Sequence, residues 1–123
     1  MWFSDEEASA MAAQLEMDVL AFLQAYATKK FGRWTLQETK RKGKYDCVFL
    51  VRDEEGKAGC SIYSVRPAQC RTWPFWDSNL GSARDWKASA KGCPGMKLPG
   101  EEGGTFVPVE EIRIRLAENP TGL

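Results

Sequence analysis

Four cysteines, Cys47, Cys60, Cys70 and Cys93, are the residues of this chain best suited to chemistry, and their surroundings strengthen the reading. The stretch CSIYSVRPAQCRTWPFW, residues 60–76, sets two of them among two arginines, two prolines, a tyrosine and two tryptophans. A hydrophobic core does not need that mixture. Thiolates are soft donors: four of them complete a tetrahedral zinc site with sulfur about 2.3 Å from the metal, and they hold an iron–sulfur cluster equally well. Four thiolates around a divalent cation carry a net charge of about −2, which is costly to bury without compensation. Arg66 and Arg71, on either side of Cys70, are placed to donate charge-assisted hydrogen bonds to the sulfurs of such a cofactor. Pro67, Pro74 and Pro94 stiffen the ligand loops, and Trp73, Phe75 and Trp76 are suited to excluding water.

The intervals between the cysteines are long and unequal, unlike the paired CxxC spacing of a zinc ribbon, so context carries the assignment rather than spacing. A plainer reading stands beside it. Free cysteine is among the most buried residue types, and Cys47 lies inside an apolar run. Histidine is absent, which removes the commonest general base and any mixed Cys/His site. Two rival functions remain open. One is a redox or nucleophilic enzyme using Cys70, its thiol activated by the positive charge of Arg71. The other is a protein-interaction module whose tryptophans dock a partner while the cysteines are structural. No reaction is assigned.

Length and composition bound the rest. A chain of 123 residues with 43% hydrophobic and 28% charged residues reads as one small globular domain. Its 17 basic and 17 acidic residues leave no overall field to attract nucleic acid or an anionic membrane, so neither partner is expected. The local run Lys40-Arg41-Lys42-Gly43-Lys44 reads as a solvated hairpin turn. No stretch reaches the apolar length of a membrane span, and Met1 to Glu7 has no secretory pattern. A reducing cytoplasm is therefore expected, where the thiols stay free to bind metal. The expected partners are a metal ion and, less directly, another protein.

The positioning elements predict an α+β fold. Ser4 and Glu7 form a capping box ahead of Ala8, Met11, Ala12 and Leu15, which recur at helical spacing. Asp18 caps a second helix whose apolar stripe is Val19, Leu20, Phe22, Leu23, Tyr26 and Ala27, with Gly32 just past its end. The first thirty residues thus read as a helical hairpin. Residues 34–39 and 46–52 read as strands of one β-hairpin across the basic turn, and residues 53–57 as a second turn leading to Cys60. Irregular cysteine-rich loops follow, with a short helical turn near 68–71 and a helix over 83–90 capped by Ser82. Residues 97–105 read as a flexible connector, and Pro108 to Leu116 as a final short helix, with a strand as the alternative. Residues 1–96 are thus expected to form the metal-binding domain and 97–123 a linker with its C-terminal helix. No internal repeat is visible.

The residues Asp46-Cys47-Val48-Phe49-Leu50, then Gly59 to Trp76 with its C-x-I-Y-x-x-R-P-x-x-C-R core, then Cys93-Pro94-Gly95 resemble the YkgJ-type CxxCxxCC family of cysteine-cluster proteins. The resemblance runs in order over residues 3–95. It implies a zinc- or iron-chelating domain in which the crowded segment is a ligand strand and loop, and it implies no settled reaction. Members of that family open with a further cysteine cluster ahead of the first helix. This chain begins at Met1-Trp2-Phe3, so either it is a shortened member that keeps half the ligands or, the favoured expectation, the domain is truncated at its N-terminus and the reading frame upstream of Met1 encodes the cluster.

Overall fold

The computed structural model describes residues 1–119. The chain divides into two compact units, Met1–Cys70 and Arg71–Leu123. The first is α+β. Helix α1 (Asp5–Gln14) starts at Ser4, whose hydroxyl accepts from the Glu7 amide at 3.1 Å while a Glu7 carboxylate oxygen accepts from the Ser4 amide at 2.9 Å. This is the reciprocal capping expected from the sequence, and three acidic residues in the first turn favour the positive end of the helix dipole. Helix α2 (Val19–Tyr26) starts at Asp18, whose carboxylate accepts from the Ala21 amide at 2.9 Å.

Three two-stranded antiparallel ribbons follow, made of β1 (Ala27–Lys30) with β2 (Arg33–Leu36), β3 (Glu38–Arg41) with β4 (Lys44–Cys47), and β5 (Leu50–Arg52) with β6 (Ala58–Cys60). Two expectations are corrected here. The helical hairpin ends at Tyr26, and Ala27–Lys30 is strand. Gly32 does not cap a helix: Phe31 and Gly32, with φ of 52° and 75°, form the two-residue turn of the first ribbon. Positive φ at both positions matches the strand twist, which is why glycine sits second. The hairpin across the basic turn forms but is shorter than expected, pairing 38–41 with 44–47, while 33–36 pair with β1 and 50–52 with β6. Gln37 joins the first two ribbons, its amide donating to the Tyr26 carbonyl at 2.8 Å and its carbonyl accepting from the Val48 amide at 2.9 Å.

Phe3, Phe22, Tyr26 and Phe49 form the centre of the first unit's core. Phe22, fully buried, stacks on Phe49 at 6.3 Å between ring centroids and meets Phe3 edge-on at 6.1 Å. Ala8, Met11 and Ala12 of α1 pack into the same cluster with Leu36 and Ile62. The α2 stripe is narrower than its sequence suggests: Phe22 is buried, whereas Leu20 stays 67% exposed. Met1 to Phe3 lies along β2. Trp2 bridges Thr35, and the Leu36 amide donates to the Met1 carbonyl at 2.9 Å.

The second unit is helical. After the close of α3 (Ala68–Thr72) come α4 (Asp77–Leu80), α5 (Ala83–Ala90) and α6 (Val109–Glu118). Ser82 caps α5 as expected, accepting from the Asp85 amide at 3.1 Å. Residues 109–118 are helix rather than strand, entered through Pro108 at the N-cap. The short helix α4 had no signal in the periodicity. Phe75 stacks on Trp86 at 6.0 Å, and Trp73 meets Trp76 edge-on at 4.7 Å.

Removing the central ring tests this core. Phe22→Ala is expected to destabilise the fold by about 3–5 kcal/mol, read as a lower urea midpoint, while Leu20→Ala stays within about 0.5 kcal/mol of wild type.

Candidate metal centre

Two of the three cysteines of the first unit sit where a strand ends. Cys47 is the last residue of β4, opposite Glu38, and Cys60 the last of β6, opposite Leu50. Cys70 lies in α3, its amide donating to the Pro67 carbonyl at 2.9 Å. All are half-buried free thiols. At an element's end the backbone turns, so a side chain is released from the alternation of the strand. After Cys47 the chain leaves β4 through Val48 and Phe49, and the Phe49 amide donates a hydrogen bond back to the Cys47 sulfur. An amide aimed at a sulfur in this way stabilises the thiolate form.

The three thiols lie close enough to influence one another. Burial, with negative charge on Cys47 and Cys60 adding to it, pushes the Cys70 thiol up to about 11 from its ordinary 9.0. Burial likewise raises Cys47, against the Phe49 amide, and Cys60 adds to the rise. The guanidinium of Arg66 opposes these effects at Cys70. Arg66 is held by its own Nε, which donates to the Tyr63 carbonyl at 2.9 Å, and its guanidinium lies 3.7 Å from the centre of the Tyr63 ring. Arg71 lies exposed in the last turn of α3.

This arrangement alters the expectation of an activated nucleophile. A thiol at about 11 is almost wholly protonated at neutral pH, so Cys70 is a poor nucleophile despite its arginine neighbours.

Glu7 positions the Cys70 segment, a role its capping-box spacing does not reveal. One carboxylate oxygen closes the start of α1; the other accepts from the amide of Ala68, the first residue of α3. Gln69, nearly fully buried, adds a second tie by accepting from the Trp2 amide at 2.8 Å. In the second unit the indole Nε1 of Trp73 donates to the Cys93 sulfur at 3.4 Å, so this tryptophan does more than exclude water. Cys93 opens a turn in which its carbonyl accepts from the Met96 amide at 3.1 Å.

The donor set suits a thiophilic ion, because sulfur is the soft ligand at hand and the Phe49 amide is directed at the Cys47 sulfur. As placed, however, no group of three or more cysteine, aspartate or glutamate side chains among the described residues is gathered closely enough to hold a metal ion. The thiols of the first unit are neighbours without being a closed coordination sphere.

Residues 4–94 match the CxxCxxCC family, described as a "putative zinc- or iron-chelating domain". The match covers well over half of the 123 residues, and the chain belongs to that family. No solved structure matches it. Among the described residues no helix is long and apolar enough to cross a membrane.

Two measurements probe this geometry. Glu7→Gln leaves a single acceptor oxygen for two amides and is expected to cost about 1–3 kcal/mol in urea denaturation. The second follows from Cys70. With its folded value raised to about 11, the unfolded chain loses this proton first as pH passes 9.0, so metal-free protein should lose stability between those values. Thermal melts from pH 8 to pH 11 (roughly that window) should show a fall in midpoint that is smaller in Cys70→Ala.

Proposed function

We propose that the protein binds a zinc ion or an iron–sulfur centre through the thiolates of Cys47, Cys60 and Cys70, with Arg66 compensating the charge. The observation that carries this reading is the closeness of three half-buried thiols, with the Phe49 amide beside Cys47 and the charge of Arg66 near Cys70. Cys47 and Cys70, kept protonated chiefly by burial, give up their protons when a cation is delivered, so metal binding releases protons. The open placement of the sulfurs fits a site that closes as the ion arrives, so that binding free energy becomes folding free energy. Membership of a family described by zinc or iron chelation supports the same reading. Arg71 is proposed as a second donor to the bound centre, and Cys93, read from the sequence as a fourth ligand, is assayed beside the other three.

Protein purified without oxygen should carry about one equivalent of zinc and no colour, or iron with the broad visible absorbance of a cluster. Cys47→Ser, Cys60→Ser and Cys70→Ser should each lower metal content at least about tenfold. Cys93→Ser with an equal loss assigns the fourth thiol to the set, and full retention removes it. Because protons compete with the metal, apparent affinity should rise about tenfold per pH unit for each proton displaced, up to the thiol values. Wild-type protein that is metal-free and refuses added zinc and iron contradicts the proposal.

A further inference from the structure

The first two ribbons repeat one seven-residue device, too short to register as a structural repeat until the pairing is seen. Thr28-Lys29-Lys30-Phe31-Gly32-Arg33-Trp34 and Thr39-Lys40-Arg41-Lys42-Gly43-Lys44-Tyr45 share the pattern Thr-Lys-basic-x-Gly-basic-aromatic, and each folds as a hairpin about its x-Gly pair. Both turns have positive φ at the two central residues, 52° and 75° in the first and 51° and 78° in the second. In both, a lysine crosses to the aromatic ring opposite it: Lys29 Nζ stands 5.7 Å from the centre of Trp34 and Lys40 Nζ 6.0 Å from that of Tyr45. In both, two cations face each other directly beside the turn, Lys30 with Arg33 and Arg41 with Lys44.

Like charges at directly opposed strand positions destabilise a hairpin. Here the arrangement occurs twice, and among the described residues none of these four cations is in an ion pair. Residues 29–44 hold seven basic residues and one acid, Glu38, in a chain whose total charge is zero. Composition alone hides this concentration. Between the ribbons Thr28, Lys30, Thr35, Gln37, Glu38 and Tyr45 line a cleft of about 420 Å³, a size suited to a planar base with hydroxyl and amide groups at its edge. Tyr45 is 66% exposed, and Phe31 at the tip of the first turn is 96% exposed.

We infer that the two ribbons form a binding surface for single-stranded nucleic acid. The paired cations take successive phosphates, Tyr45 and Phe31 offer ring faces to unstacked bases, and the cleft receives one base. Basic grooves interleaved with aromatics bind single strands in this manner. The cations project from both faces of each twisted ribbon, because Lys29 and Lys30, like Lys40 and Arg41, alternate across the strand. A flexible polyanion can follow both faces, whereas a flat lipid surface meets only one. The polar lining of the cleft also disfavours insertion into a bilayer. This inference is independent of the metal site.

Fluorescence anisotropy of the full-length protein with fluorescein-labelled 20-nucleotide oligo(U) and oligo(dT) tests it, the two probes separating RNA from DNA preference. Binding is expected at low salt, with log K falling linearly against log salt at a slope of about −0.7 per phosphate contact. Replacing Lys30, Arg33, Arg41 and Lys44 together by serine should weaken binding at least about tenfold and flatten the slope by about 3. Tyr45→Ala should cost about tenfold. Glu38→Gln should tighten binding, a gain that misfolding does not produce. No binding to either probe, unchanged affinity in the four-serine variant, or preferential capture by phosphatidylserine vesicles overturns the proposal.

Discussion

Burying several thiols side by side is the constraint on which the metal-centre reading depends. A half-buried sulfur resists ionisation, and a neighbouring sulfur that has ionised makes it resist more. Cys70 shows both effects, with burial the larger and the charges of Cys47 and Cys60 next to it. Such a group is stable as neutral thiols or as thiolates around a cation, and expensive in between. The surrounding features follow from that choice. The Phe49 amide at Cys47 and Arg66 at Cys70 favour the ionised sulfurs without being enough to ionise them alone.

The architecture delivers these sulfurs cheaply. Short ribbons of three or four residues place Cys47 and Cys60 at strand ends, where the next residues leave the ladder and free the side chain to turn. Cys70 needs more, because a five-residue helix has little stability of its own. Glu7 supplies it, sharing one carboxylate between the start of α1 and the start of α3. The aromatic cluster of Phe3, Phe22, Tyr26 and Phe49 holds α2 and the Val48-Phe49 turn together, so the residue whose amide faces Cys47 is also anchored in the core.

Where physical signals are local, they were legible in the residues. The capping box at Ser4, the caps at Asp18 and Ser82 and the buried face of α1 all follow from spacing within one or two turns. The turn Phe31-Gly32 was harder, because a glycine after an apolar helical stripe reads as a helix end; its identity depends on pairing between Lys30 and Arg33 across it. Likewise the apolar run from Cys47 to Val51 reads as one strand, and only the change of pairing partner, from β3 before Val48 to β6 after Phe49, shows that it is two. The cysteines themselves stood out in the residues by their company of arginine, proline and aromatics. What residue types could not convey was the double use of Glu7 and the indole of Trp73 on Cys93, both contacts between segments distant in sequence.

The most direct test of the central claim is X-ray absorption at the metal edge of protein loaded with one equivalent of zinc or iron. The account predicts a shell of at least three sulfur donors at about 2.3 Å, collapsing when Cys47, Cys60 and Cys70 are replaced together by serine. A shell made only of nitrogen and oxygen donors, unchanged by that replacement, would contradict it.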